Sequence, residues 1–351
     1  MRNRFLASIG GLAVISFAAI SGAAQQTPSA KTWTQPRTSW GEPDLQGVWA
    51  NNNATPLERP KELQGRQFLT EEEVASLKKV AGQIFDGNGD AAFADAVFLA
   101  ALRNVQGNAK GYASSDGRTG NYNSFWLVDR DFDNRTSLVT DPSDGRVPPL
   151  TPEAQQRAAE AAAVRNRLPA GPEDLTLSLR CISPGVPNVF AGYNSYYRIL
   201  QTPGYAVIAT EMYHDARIVP LDGRPHLSPS VRLRNGDSRG HWEGNTLVVD
   251  TTNFLSQGGS GQSSFQIAAD QNLHLIERFT RVGPNAVNYE FTIDESTTWT
   301  KPWTAMIPLK QSQDKLYEFA CHEGNRGLVG TLSGARFQEK AAAEAAKKGS
   351  R

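Results

Sequence analysis

The sequence predicts a mainly β protein: an antiparallel barrel carrying helical insertions. Three observations lead there. Runs of β-branched and aromatic residues follow one another through the second half of the chain. The last six are spaced like a meander, with turn residues between them rather than helices. No strand leads through a glycine-rich loop into a helix, so the βαβ alternation of a nucleotide-binding fold is missing.

The chain opens with MRNRFLASIGGLAVISFAAISGAA. Arg2 and Arg4 form a basic start, an apolar run follows to about Ser21, and Gly22-Ala23-Ala24 offers small residues for cleavage. This predicts a secretory signal peptide over 1–24, cut near Ala24, and hence a periplasmic or secreted protein. An uncleaved anchor is the alternative, but the run is short and broken by Ser and Gly. No later stretch is apolar enough to span a membrane.

Residues 25–43, rich in Pro, Thr, Ser and Gln, read as an extended leader. Residues 44–335 read as one β-rich domain and 336–351 as a charged, Ala-rich tail. DLQGVWA (44–50) is the first predicted strand. Helical insertions are expected near 68–105 and 151–168. Thr70 caps the acidic turn Glu71-Glu72-Glu73, residues 93–105 form a second helix, and Thr151-Pro152-Glu153 opens a third.

Strands are expected in FWLVD (125–129), RTSLVT (135–140), YYRILQ (196–201), YAVIATEMYH (205–214), ARIVPL (216–221), TLVVDTTNF (246–254), LHLIERFTRV (273–282), AVNYEFTID (286–294), TAMIPLKQS (304–312) and KLYEFACH (315–322). RTSLVTDPSDGRVPPLTP (135–152) echoes ARIVPLDGRPHLSP (216–229), each with an Asp-Gly-Arg turn after a strand. Two independent hairpins would give the same pattern.

The chain has 36 basic and 36 acidic side chains. Removing Arg2 and Arg4 leaves 34 basic against 36 acidic, a net charge of −2. Nucleic acid is therefore not an expected partner. The two cysteines, Cys181 and Cys321, read as a disulfide in an exported protein. Loop entropy gives such a bridge about 4–5 kcal/mol.

YNSFWLVDR (122–130), RTSLVTDPSDGRVPP (135–149), RCISPGVP (180–187), EMYHDARIVPLDGRPH (211–226), GDSRGHWEGNTLVVDTTNF (236–254), NLHLIERFTRV (272–282), TTWTKPWTA (297–305) and YEFACHEGN (317–325) together resemble a large group of uncharacterised secreted bacterial proteins. The resemblance covers about residues 120–335. It implies export from a bacterial cell and transfers no catalytic residue. Gly47-Val48-Trp49 looks like the Gly-x-Trp opening of lipocalin-type barrels. With the meander, it makes the expected fold a calycin/lipocalin-like barrel, which can enclose a small ligand.

Several motifs are rejected. HEGNR has Arg326 where H-E-x-x-H needs a histidine. DGNGD (86–90) lacks the glycine and the closing glutamate of a calcium loop. GGSGQ (258–262) is no nucleophile elbow.

Strand alternation places His274, Ile276, Arg278 and Thr280 on one face of LHLIERFTR, and Leu275, Glu277 and Phe279 on the other. The predicted site gathers His214, His274 and His322 around one cavity, with Glu277 or Glu323 as carboxylate partner and Arg217 as anion or carbonyl contact. Asp215, Arg239, Trp242, Arg278, Trp299 and Trp303 complete the predicted lining. The bland readings are a hairpin corner at His214-Asp215-Ala216-Arg217, a solvated strand face at His274, a strand-end cap at His322, and core packing for the tryptophans.

The functional expectation is an acid/base enzyme without an organic cofactor, a hydrolase, lyase or isomerase acting on a small, partly apolar or ring-bearing substrate. Two alternatives stand beside it. One is a lipocalin-like carrier; the other is a divalent-metal enzyme with His214, His274 and His322 as ligands.

Overall fold

The computed structural model describes residues 33–86, 89–93, 95–113, 127–183, 185–256 and 270–349. The predicted signal peptide, residues 25–32 of the leader, Trp126 and the 258–262 loop lie outside them. Residues Gln35–Arg351 cluster as one unit.

The strands are β1 (Gly47–Ala50), β2 (Val139–Asp141), β3 (Tyr196–Thr202), β4 (Tyr205–Thr210), β5 (Ala216–Pro220), β6 (Asp237–Glu243), β7 (Thr246–Thr252), β8 (His274–Gly283), β9 (Ala286–Asp294) and β10 (Trp303–Ser312). The helices are α1 (Glu71–Ile84), α2 (Asp95–Val105), α3 (Pro152–Arg165) and α4 (Arg326–Gly349). One ten-stranded sheet runs β5-β4-β3-β1-β10-β9-β8-β7-β6, and β2 adds to β10. Its ladders are antiparallel.

Turn chemistry sets the hairpins. Thr202 pairs with Tyr205 across Pro203-Gly204; proline fixes the first turn torsion and Gly204 takes φ +81°. The β8–β9 hairpin turns at Pro284-Asn285, with Gly283 opposite Ala286. Along β8 burial alternates residue by residue over His274–Thr280, so one face joins the core and the other meets solvent.

The inner face is filled by aromatic side chains. Trp49, Phe279, Tyr289, Phe291, Trp299 and Trp303 are all within 2 % of full burial. Phe279 and Tyr289 stack with ring centroids 4.6 Å apart. The sheet's two edges come together at Gly240 of β6. A Cβ there would lie 2.9 Å from Val219 Cγ1 of β5 and 2.6 Å from Leu221 Cδ2. No ladder joins β5 to β6, however, so the sheet is open rather than a hydrogen-bonded barrel.

The helical insertions fall where expected. Thr70 and Glu73 form a reciprocal capping box on α1, and Thr151 caps α3 ahead of Pro152. α1 and α2 pack on each other through Leu77, Ala81, Phe98 and Leu102, a cluster separate from the sheet core.

Three expectations are corrected. KLYEFACH is not a strand: β10 is flanked by β9 and β1, which leaves it no lateral partner for a following strand, and Tyr317 is 72 % exposed. Tertiary context overrides local β-propensity there. The tail predicted to start at 336 is the later part of α4, which starts at Arg326; its alanines favour helix. FWLVD, in its described part (127–129), forms no strand.

Cys181 and Cys321 are bonded, with Cα atoms 5.6 Å apart and 140 positions between them. Around the bridge, Asn325 Nδ2 donates to Leu179 O at 2.8 Å and Arg336 donates to Pro169 O and Ala170 O. The chain after β10 is thus docked on the α3–β3 connection.

Candidate functional site

β8 carries two polar centres, one on each face. On the inner face, Glu277 is fully buried and Arg217 of β5 is 8 % exposed. Arg217 Nη1 and Nη2 donate to the two Glu277 oxygens at 2.5 and 2.8 Å, a bidentate pair. Tyr289 Oη donates to Glu277 Oε1 at 2.7 Å, and Tyr197 Oη donates to Asn188 O. Burial, then the nearby Glu277 carboxylate, pushes both phenols' pKa upward, so they stay protonated donors. Burial alone would lower the Arg217 pKa, but Glu277 raises it overall.

Beside Arg217 lies a narrow polar cleft lined by Asn188, Thr210, Asp215 and Asn235 among others. Asn235 Nδ2 donates to Asp215 Oδ2 at 3.1 Å. The free space there is about that of one water molecule.

The outer face holds a chain of alternating acids and bases. His274 Nε2 meets Asp250 Oδ2 of β7 at 3.0 Å. The other oxygen of Asp250 meets His226 Nε2 at 3.2 Å. His226 Nδ1 meets Asp237 Oδ2 of β6 at 3.0 Å, and Asp237 Oδ1 accepts from Arg239 Nη1 at 2.6 Å. Strand register builds this arrangement. Arg239 sits opposite Asp250 on the β6–β7 ladder, and His274 sits opposite Asp294 on the β8–β9 ladder. His226 arrives from the β5–β6 connection, whose Leu227 N–H also donates to Asp237 Oδ2 at 2.8 Å.

The electrostatics follow the contacts. The hydrogen bond to Asp250, then its charge and that of Asp294, raises the His274 pKa against partial burial. The His274 hydrogen bond, aided by both imidazoles' charge, holds Asp250 below the usual carboxylate range. At Asp237 burial pushes upward, but the Leu227 N–H, Arg239 and His226 outweigh it and the pKa is lowered. Both ring nitrogens of His226 face carboxylate oxygens, Nδ1 that of Asp237 and Nε2 that of Asp250.

The predicted residues are dispersed. His274 and Glu277 lie on opposite faces of β8, so Glu277 is no partner for His274; its partners are Arg217 and Tyr289. Arg217 is engaged by that buried pair. His214 is exposed at the turn after β4, with φ +42°. His322 and Glu323 are exposed on the segment leading to α4. Among the described residues no hydrogen bond or ion pair links His214 or His322 to His274.

Asp215 holds Asn235, and Arg278 pairs with Glu243 on the outer face at 2.6 Å. Trp299 and Trp303 are core residues packed edge to face, not ligand contacts, and Trp242 packs against the same core. Sequence reasoning missed His226, Asp237 and Asp250. An aspartate interrupting the apolar run LVVD was the one available signal. Among the described residues no group of three or more His, Cys, Asp or Glu side chains is arranged to hold a metal ion. No helix of the described residues is long and apolar enough to cross a membrane.

No protein-family description, curated protein or solved structure matches the chain.

Proposed function

We propose that this chain is an acid/base enzyme that needs no organic cofactor, with His274 as its proton-transferring group and Asp250 as the residue that positions it. The observation that supports this is the Asp250 carboxylate held between two imidazoles on a half-exposed strand face. Asp250 accepts a hydrogen bond from the Nε2–H of His274, which leaves Nδ1 of the neutral ring as the base. A raised pKa moves that ring's titration towards neutral pH, where a histidine can both take and return a proton. Asp237 and Arg239 fix His226, and His226 in turn fixes the far side of Asp250. Among the described residues no serine, threonine or cysteine is bonded to His274, which favours direct proton transfer or activation of water over a covalent intermediate.

The carrier reading has less support, because aromatic side chains fill the inner face where an apolar ligand would sit. The disulfide fits an oxidising compartment and supports an exported protein of the secreted bacterial group it resembles.

The test is a survey of p-nitrophenyl esters and glycosides, together with solvent-deuterium exchange into small carbonyl compounds. Wild type is compared with Asp250→Asn and His274→Ala. An activity that falls by about a hundredfold or more in both variants, with unchanged circular dichroism, is the expected result. An activity equal in all three proteins would overturn the reading.

A further inference from the structure

A second polar site lies away from the sheet faces, where the segment after β1 meets the turn after β2. Arg59 is 5 % exposed and makes no ion pair among the described residues. Its Nε donates to Thr136 Oγ1 at 2.9 Å. Its Nη1 donates to Ser143 O at 3.2 Å and Asp144 O at 2.7 Å, and its backbone N–H donates to Gly145 O. These partners are uncharged. A buried cation is ordinarily matched by a carboxylate, because carbonyl dipoles offset only part of its lost hydration. Nη2 has no acceptor among the described residues.

The turn is moulded on this guanidinium. Gly145 has φ +73°, and a Cβ there would lie 2.8 Å from Arg59 Nη2 and 2.5 Å from Ser137 Oγ. Only glycine lets the chain come so close.

Arg59 forms one wall of an open groove lined also by Gln64, Gly65, Gln67, Ser143, Asp144 and Arg146. Arg146, like Arg59, has no ion-pair partner among the described residues. The one lining acid, Asp144, uses Oδ1 to accept the Arg146 backbone N–H at 3.0 Å. Two guanidinium groups therefore face one carboxylate, with two side-chain amides and a hydroxyl around them. We propose that this groove binds a small oxyanionic group, a carboxylate, sulfate or phosphate, with Arg59 as the fixed buried contact and Arg146 as the contact at the rim. Guanidinium donors match the paired oxygens of such groups.

Isothermal titration calorimetry of the full chain with acetate, sulfate and phosphate tests this at constant ionic strength, with chloride as the reference salt. At least one of the three oxyanions should bind at one site per chain, and the order among them separates planar from tetrahedral recognition. Arg146→Ala, a change at the rim that leaves the buried Arg59 contacts in place, should weaken that binding by about tenfold or more. Arg146→Lys should recover part of it. Absence of binding by all three oxyanions would overturn the proposal, as would equal affinity in wild type and Arg146→Ala.

Discussion

The two faces of β8 hold charge in opposite ways. The inner centre, Arg217–Glu277–Tyr289, is closed: both carboxylate oxygens are taken up by the guanidinium, one also by a phenol, and Glu277 is shut off from solvent. The outer centre, His226–Asp250–His274, is open, with Asp250 and His274 side chains 37 % and 39 % exposed. Burial gives the first pair strength when whole and heavy cost when broken. Exposure leaves the second pair weak in stability but able to exchange protons with whatever approaches. One strand thus separates a fixed charge pair that orders the core from a titratable pair suited to chemistry.

The sharpest way to break the contrast is Glu277→Ala. It strands a buried Arg217 and should cost about 3–5 kcal/mol in urea unfolding. The double variant Arg217→Met/Glu277→Leu should recover most of that loss, since apolar groups leave no unpaired charge. If Glu277→Ala is as stable as wild type, the inner pair is not closed as described.

A second inner-facing test is Gly240→Ala, at the contact between the sheet edges. The added methyl must displace Val219 and Leu221, an overpacking worth about 1–3 kcal/mol. An unchanged melting temperature would mean that the edges do not meet there.

On the outer face, stability should follow the titration of His274 and Asp250. His274 has a raised pKa, so its contribution is complete below the ordinary value of 6.5 and is lost as pH climbs through the folded value. Asp250 has a lowered pKa, so its contribution is present above 3.8 and is lost as pH falls through the folded value. The pair therefore stabilises most between those two ordinary values. The NMR titration of His274 should have its midpoint above 6.5, and Asp250→Asn should bring that midpoint down. A midpoint indifferent to Asp250→Asn would dissolve the outer centre.

The smallest effect is expected for Arg278→Ala. It removes the ion pair with Glu243, which solvent screens, and should shift the urea midpoint less than any of the variants above.

Much of this frame was legible in the sequence. Alternation in LHLIERFTR put His274 and Glu277 on opposite faces, Pro203-Gly204 marked a hairpin, and an even pair of cysteines pointed to the bridge. Of the candidate site, His274 and Arg239 were named from the sequence; the rest was not legible, for reasons that are local. Joining His274 to Glu277 in one cavity contradicted their own alternation. His226 follows a proline in an irregular connection, so no period announces it, and its contacts to Asp237 and Asp250 exist only after β6 and β7 pair. LYEFACHEGN has the composition of a strand, but after β10 it has no neighbouring edge to join, and its cysteine is pinned to Cys181 instead. Trp299 and Trp303 were read as a ligand surface because aromatic residues serve both purposes; the Pro302 between them marks where the chain enters β10 and turns both rings inward.

The position of β1 has a consequence for the order in which the molecule assembles. β3–β5 and β6–β10 are two runs of adjacent hairpins, each able to form from neighbouring sequence. They are joined within the sheet only through four residues near the start of the chain, with Trp49 opposite Tyr197 on one side and Gln311 on the other. That clasp closes two long loops, and its second side cannot form until the last strand has been synthesised. Contacts so distant in sequence form slowly. The first strand of the chain is therefore among the last to be locked: two formed halves wait for β1 to join them.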